Sequence, residues 1–435
     1  MKSIQVFEWE SLSVDRVLPG GCGESLTQTQ FDSLLKWNDA QDGNFFKLGH
    51  KKITFTQWVG VIHIQDLCIE VIPKADKRTE GTRQESLAKW SSILMKMLRA
   101  TGQIKLRTSE SSSLALRKQS LLDIYLECFI NEVETLIHRG LIKKYHKVSQ
   151  NRTSLKGKLL FSQNIKHNLV HKERFFTQAA EYDKLNVWNE MIYAALGVVF
   201  QVTSNGLIRS RAKELELYFP DWHKRTFTQG DFDRLIYDRK SEGYRDAIEL
   251  AKLILLKLNP QIQAGSTSVV AIFFDMNDLF ERYVAKVLGK KILLQGLESS
   301  LYIKTQGPQQ DLLVKKDVDE VVEKVFRLKP DMVVGKRPIS AKNYVAILDT
   351  KWKSLDDSEK KMGVSQADLY QLYTYAGEYE CQSVALIYPK WGEDAKAHHY
   401  EYSVGPGRRE TRIQLVPFDC ERDEFVCEEV WVVNS

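Results

Sequence analysis

Two acids and a lysine sit at the ends of two short apolar runs. Lys329-Pro330-Asp331-Met332-Val333-Val334 leads into a turn-rich stretch with Gly335, Pro338 and Asn343. Then comes Tyr344-Val345-Ala346-Ile347-Leu348-Asp349-Thr350-Lys351. Residue types of this kind could hydrolyse a phosphodiester. One or two carboxylates can hold Mg²⁺ with positions left open, and the ion offsets charge that develops on the phosphate. A lysine beside the same centre can assist the attacking water. Strand geometry supports the pairing, because side chains alternate faces: Asp349 and Lys351 point one way and Thr350 the other. Pro330 suits a strand start, where no ladder N–H is required. The 17 residues between the acids are enough for a hairpin that brings them side by side. The competing reading is that an Asp-x-Lys triplet after an apolar strand is a common sheet ending with no chemistry attached.

Such groups need elements to position them. Downstream, Leu369, Leu372, Tyr373 and Ala376 recur at helical spacing. Gln371 and Tyr375, four apart, share one face of that helix, with Gly377 as its expected stop. Ser383 to Tyr388 reads as a buried strand closed by Pro389. Upstream, Asn277 is the expected N-cap of a helix with Glu281 one turn inside it. The expected order is therefore helix, strand, strand, helix, strand. Gln371 and Tyr375 read equally as the polar edge of an amphipathic helix, and Glu281 as a solvent-facing acid.

Taken together, Pro330-Asp331, Asp349-Thr350-Lys351 and Gln371-x-x-x-Tyr375 in this order resemble the PD-(D/E)xK nuclease superfamily. More narrowly, Asn277-Asp278-Leu279-Phe280-Glu281-Arg282-Tyr283, Leu348-Asp349-Thr350-Lys351 and Tyr370-Gln371-Leu372-Tyr373-x-Tyr375 resemble McrC, the nuclease subunit of McrBC-type modification-dependent restriction systems. Val59-Gly60-Val61, Ile69-Glu70-Val71-Ile72-Pro73-Lys74, Arg139-Gly140-Leu141, Leu155-Lys156-Gly157-Lys158-Leu159 and Asn189 extend the likeness toward the N-terminus. The resemblance implies a Mg²⁺-dependent endonuclease acting on modified or foreign DNA. It also implies a hexameric AAA+ GTPase ring of the McrB type as partner, with the N-terminal part of this chain docking on the ring and stimulating GTP hydrolysis. On that likeness Asp331 and Asp349 are metal ligands and Lys351 lies near the attacking water. Gln371 and Tyr375 support the site or contact DNA, and Glu281 is an outer acid of the metal site.

Composition sets the bounds. The 435 residues are 43% hydrophobic and 27% charged, as in water-soluble globular chains. There is no run of 18 apolar residues and no signal-like start, so a cytoplasmic protein without a membrane span is expected. Six scattered cysteines lack zinc spacing. No phosphate-cradling G-x-x-x-x-G-K-[ST] occurs, so nucleotide turnover would belong to another chain. Net charge is only +5, yet residues 141–176 hold nine Lys and Arg against one acid. Lys143, Lys144, Lys147, Arg152, Lys156 and Lys158 are the candidates there for phosphate contact, or equally for an acidic partner surface.

The expected fold is α+β or α/β and multidomain. Residues 1–107 form a β-rich docking module. Residues 108–263 form a mostly helical middle region, opened by a Ser/Thr-rich linker and carrying the basic segment. Residues 264–435 form the nuclease unit, an αββαβ mixed sheet flanked by helices. Residues 315–325 are dense in charge, and the sequence assigns them no role. Two alternatives stand beside the nuclease: an adaptor that controls a AAA+ partner with an inactive centre, and a repair or transposon-end nuclease of the same fold.

Overall fold

Side-chain caps and apolar alternation delimit most elements of this mixed α/β chain. The computed structural model describes residues 2–41, 45–64, 67–74, 82–104, 120–203, 205–222, 225–258, 269–317, 320–339, 343–355, 363–390, 398–404 and 409–426. The expected Ser/Thr-rich linker and the expected division at 263/264 lie outside them.

The N-terminal part comprises β1 (Lys2–Phe7), β2 (Ser11–Ser13), α1 (Gln28–Ala40), β3 (Phe46–Gly49), β4 (Lys52–Phe55), β5 (Trp58–Ile64), β6 (Leu67–Ile72) and α2 (Arg83–Ala100). Both helices open with capping boxes, Thr27 with Gln30 and Thr82 with Glu85, which satisfy N–H groups that have no partner inside the helix.

Next come α3 (Leu121–Arg139), β7 (Lys144–Arg152), β8 (Lys158–Leu159), α4 (Phe161–Asn168), β9 (Phe175–Asp183), α5 (Val187–Val202), α6 (Gly206–Glu216), α7 (Gln229–Asp233) and α8 (Arg245–Lys257). Ser120 caps α3, and Gly140 ends it at φ +92°, a conformation glycine tolerates. The sequence places the basic segment in a mostly helical region. It instead builds a three-stranded antiparallel sheet, β7-β9-β8, with only the short α4 inside it. The ladder between β7 and β9 runs nine residues, from Lys144↔Asp183 to Arg152↔Phe175. This pairing joins segments some thirty residues apart, which local periodicity does not register.

The C-terminal part contains β10 (Val269–Asp275), α9 (Met276–Leu294), β11 (Leu301–Thr305), β12 (Gln310–Asp317), β13 (Glu320–Leu328), β14 (Met332–Lys336), β15 (Tyr344–Thr350), α10 (Gln366–Glu378), β16 (Ser383–Pro389), β17 (His398–Val404), β18 (Arg409–Asp419) and β19 (Glu424–Phe425). The unit expected from residue 264 does not start as a separate sheet. Its first strand, β10, pairs antiparallel with β5 and completes the N-terminal sheet β1-β6-β5-β10. Gly60 makes this pairing possible: at φ +145°, a Cβ there would stand 2.0 Å from the Ile272 carbonyl oxygen.

A second sheet has the order β11-β14-β15-β16-β18-β17, with β19 on β18. β14 and β15 pair antiparallel, as the spacing of the two acids predicts, with a bulge at Val334/Gly335. β15, β16 and β18 run parallel. Alternation along these strands divides the core in two. Val333, Ile347, Val384 and Leu386 join Leu372 and Tyr375 of α10 on one face. Met332, Val334, Ala346, Leu348, Ala385 and Ile387 join Phe280 and Val284 of α9 on the other. That second cluster continues through Trp90, Phe129, Leu196 and Leu255, so the three parts of the chain share one core. The charged stretch to which the sequence assigns no role is a two-stranded hairpin, β12-β13, inserted between β11 and β14.

Candidate active site

The carboxylate of Asp349 is 1% exposed at the end of β15. Its Oδ2 forms an ion pair with the Lys351 ammonium. Its Oδ1 accepts from Gln371 Nε2 at 3.2 Å, and the same amide donates to the Tyr375 hydroxyl at 2.8 Å. The face shared by Asp349 and Lys351 is therefore the α10 face, and the i, i+4 spacing of Gln371 and Tyr375 aims both at it.

Asp331 precedes β14. Its Oδ2 accepts from the Thr350 backbone N–H and from Thr350 Oγ1, both at 2.8 Å. Alternation turns Thr350 away from Asp349, and from there it fixes the second acid. Tethered by Thr350, Asp331 stays close enough to Asp349 to raise its pKa. Glu281 on α9 completes the group. It is half-buried and accepts from Gln306 Nε2, while the Gln306 backbone N–H donates to the Asp331 carbonyl at 2.8 Å. Gln306 adopts φ +56°, and no sequence motif marks it. Two details of the helices differ from expectation. Asp275, not Asn277, caps α9, its side chain accepting from the Asn277 N–H. Gly377 lies within α10, which ends one residue later and is followed by Glu380 at φ +52°.

The electrostatics follow from burial and proximity. Burial, and then the charge of Asp331, push the Asp349 carboxyl up to about 7, against the opposing pull of Lys351. Burial draws Lys351 down, but Asp349, together with Asp331 and Asp368, more than offsets it and the ammonium ends above its ordinary value. Glu281 is raised by burial and by Asp331. Burial raises Tyr375 as well, so its phenol stays neutral. Asp331 thus raises both Asp349 and Glu281, and an added cation would relieve the repulsion among the three carboxylates. The donors are hard oxygens, which suits Mg²⁺ rather than zinc. Among the described residues no group of three or more His, Cys, Asp or Glu has metal-binding geometry. Asp331 and Asp349 are the carboxylates that could hold such an ion, with the remaining positions left to water and phosphate, as Mg²⁺ tolerates.

The six basic candidates lie apart from this centre, on the β7-β9-β8 module. Lys143, Lys147, Lys156 and Lys158 are exposed. Arg152 is engaged by Glu181 at 2.6 Å, and Lys144 lies 3.8 Å from Asp238 and over the Trp188 ring. Beside the lysines runs an apolar ridge that composition and charge do not reveal: Phe161, Ile165 and Leu169 are 71, 62 and 71% exposed. The 161/165 spacing on α4 is its only sequence signal.

Among known proteins, residues 53–389 match the family described as McrBC 5-methylcytosine restriction system component. A comparison with curated proteins gives no match. Two solved structures from Thermococcus gammatolerans are similar. One is the refined half-complex from a tetradecameric assembly of McrB AAA+ hexamers with bound McrC: TM-score 0.68, 20% identity, 100% of this chain and 97% of that one covered. The other is a cryo-EM structure of the McrBC complex: TM-score 0.49, 22% identity, 67% and 88% covered. No helix among the described residues is long and apolar enough to cross a membrane. With the family match spanning residues 53–389 of 435, the chain belongs to the McrBC 5-methylcytosine restriction system component family.

Proposed function

We propose that this chain is the Mg²⁺-dependent endonuclease subunit of an McrBC-like restriction complex, working with a hexameric AAA+ GTPase ring. The observation that carries the reading is the convergence of Asp331, Asp349, Lys351, Gln371 and Glu281 from four separate elements on one point. Mg²⁺ bound by Asp331 and Asp349 would supply neutralisation of the charge that develops on the scissile phosphate. Thr350 holds Asp331 in register with Asp349. Gln371 orients the Asp349 carboxylate, and Tyr375 orients Gln371. Lys351 keeps its proton and places a positive charge where the attacking water and the phosphate meet.

The McrB ring named in the Thermococcus assembly is the kind of partner this chain would take. The β7-β9-β8 module bears on that, because it presents both lysines and an apolar ridge. Phosphate contact explains the first but not the second, so this surface favours a protein partner as well as DNA. It also favours a docking role for the chain beside its nuclease role.

The test is plasmid cleavage in Mg²⁺ by wild type and Asp349→Asn, with and without an McrB-type AAA+ protein and GTP. Partner-dependent cutting should fall roughly 10³-fold in the variant, since a cation supplies several kcal/mol of transition-state stabilisation. Equal cutting by both proteins would remove Asp349 from the centre. Stimulated GTPase with no cutting by wild type on methylated or unmethylated DNA would leave only the adaptor role.

A further inference from the structure

Glu8 and Trp352 are 344 residues apart, yet the indole Nε1–H donates to Glu8 Oε1 at 2.8 Å. The same oxygen accepts from the Lys74 backbone N–H at 2.8 Å. Trp352 directly follows Lys351. By alternation Lys351 turns to the α10 face and Trp352 to the α9 face. There the indole packs edge-on against Phe280 at 5.3 Å and against Trp90 of α2 at 6.1 Å. Phe280 is the residue before Glu281. One aromatic side chain therefore touches the strand end that carries Lys351 and the helical turn that carries Glu281. Two N-terminal elements hold it, the end of β1 and α2.

A carboxylate is a costly group for that place. Glu8 is 5% exposed, and its Oε2 is buried without a hydrogen-bond partner. A buried acid with one oxygen unsatisfied lowers stability compared with an apolar pair of similar shape. What it does supply is a directional hydrogen bond that allows the indole one position. Geometry of that kind matters at a hydrolytic centre, where displacement by about 1 Å can cost on the order of 10²-fold in rate.

We propose that Glu8 and Trp352 form a strut through which the N-terminal part sets the positions of Lys351 and of the α9 turn bearing Glu281. Both are positioning residues for the hydrolytic centre. The catalytic consequence rests on the nuclease reading above, whereas the strut itself does not.

Two measurements on the full chain separate these. The first is hydrogen–deuterium exchange of Trp352→Phe and Glu8→Ala against wild type. Trp352→Phe deletes the N–H donor and keeps an aromatic ring against Phe280 and Trp90. Exchange should quicken in 349–353 and 278–284 and stay unchanged in 384–388. The second is cleavage with Mg²⁺ and the AAA+ partner, measured well below the melting temperature. In each variant kcat should fall about tenfold or more, with KM for DNA and affinity for the ring within about twofold of wild type. The double variant should lose no more than the worse single one. Glu8→Gln should retain most activity, because its amide oxygen still accepts from the indole. Unchanged exchange at 349–353 in Trp352→Phe overturns the strut, as do losses that multiply in the double variant. If wild type never cleaves, the nuclease reading fails and the exchange data still decide the strut. Should Glu8→Ala not fold, Trp352→Phe and Glu8→Gln carry the test.

Discussion

At the scale of single residues, the proposed chemistry rests on acids brought together from separate elements, of which Asp349 is buried and Asp331 half-buried. Asp331 depends on Thr350, which gives one Oδ2 atom two donors. Thr350→Val removes the hydroxyl and leaves the backbone N–H. Outer partners of metal ligands are worth about 10–100-fold, so the Mg²⁺ concentration for half-maximal cleavage should rise roughly tenfold or more with little change in melting temperature. Titrating Mg²⁺ in the plasmid assay checks this, and an unchanged Mg²⁺ requirement would free Asp331 from that dependence. Glu8 offers a prediction in pH. Burial, chiefly, raises its carboxyl to about 7, with Asp275 adding to the rise and the Lys74 N–H and Trp352 opposing it. The folded chain thus binds a proton that the unfolded chain releases near the ordinary value of 4.5. Its contribution to stability is complete below that value and is lost as pH rises through about 7. Glu8→Gln has no such titration. Its melting temperature relative to wild type should therefore increase from about pH 5 to about pH 8. A pH-independent difference would show that Glu8 does not titrate in this range.

At the scale of elements, the two apolar runs at 332–334 and 345–348 were legible as strands because every residue in them is buried, and the faces they serve follow from alternation alone. The same rule put Asp349 and Lys351 on one side, and i, i+4 helical spacing gave α10 its inward Gln371 and Tyr375. The sequence was silent where pairing joins distant segments. β10 reads as part of the C-terminal unit, but it hydrogen-bonds to β5 because Gly60 leaves room for the Ile272 carbonyl. Gly60→Ala would force that carbonyl away and break the ladder beside Val59 and Val61. A loss on the order of 3 kcal/mol is expected, among the larger single-residue effects. Urea unfolding measures it. A loss below about 1 kcal/mol would show that the β5-β10 junction gives way without strain. The basic segment obeys the same physics: its periodicity is too weak to declare β7 and β9, which become strands by pairing with each other.

At the scale of the whole molecule, one hydrophobic cluster runs from Trp90 through Phe129 and Leu255 to Leu348 and joins the three parts of the chain. The β7-β9-β8 module is the basic outlier. If Lys147, Lys156 and Lys158 neutralise DNA phosphates, replacing all three with alanine should weaken binding. The slope of log K against log salt should then shrink by about 0.9 for each phosphate no longer neutralised. If they meet the partner ring instead, the slope for DNA should stay put while ring affinity falls. Fluorescence anisotropy with labelled duplex and with the AAA+ partner, over a salt series, separates the two.

The sequence alone determined the residue types of the centre, the strands and helix that carry Asp331, Asp349 and Gln371, and the lack of a nucleotide-cradling loop, but not the strands β11, β12 and β13 that stand between α9 and β14. The features it determined are local properties: alternation, helical spacing and motif composition all act within about a dozen residues. Only the tertiary structure decided that Thr350 and Gln306 brace the acids, that β10 closes the N-terminal sheet, and that Glu8 reaches Trp352 across 344 residues. Each of these depends on where burial brings distant segments together. A lone Glu after an N-terminal strand carries no mark of the indole it will meet until the core has closed around both.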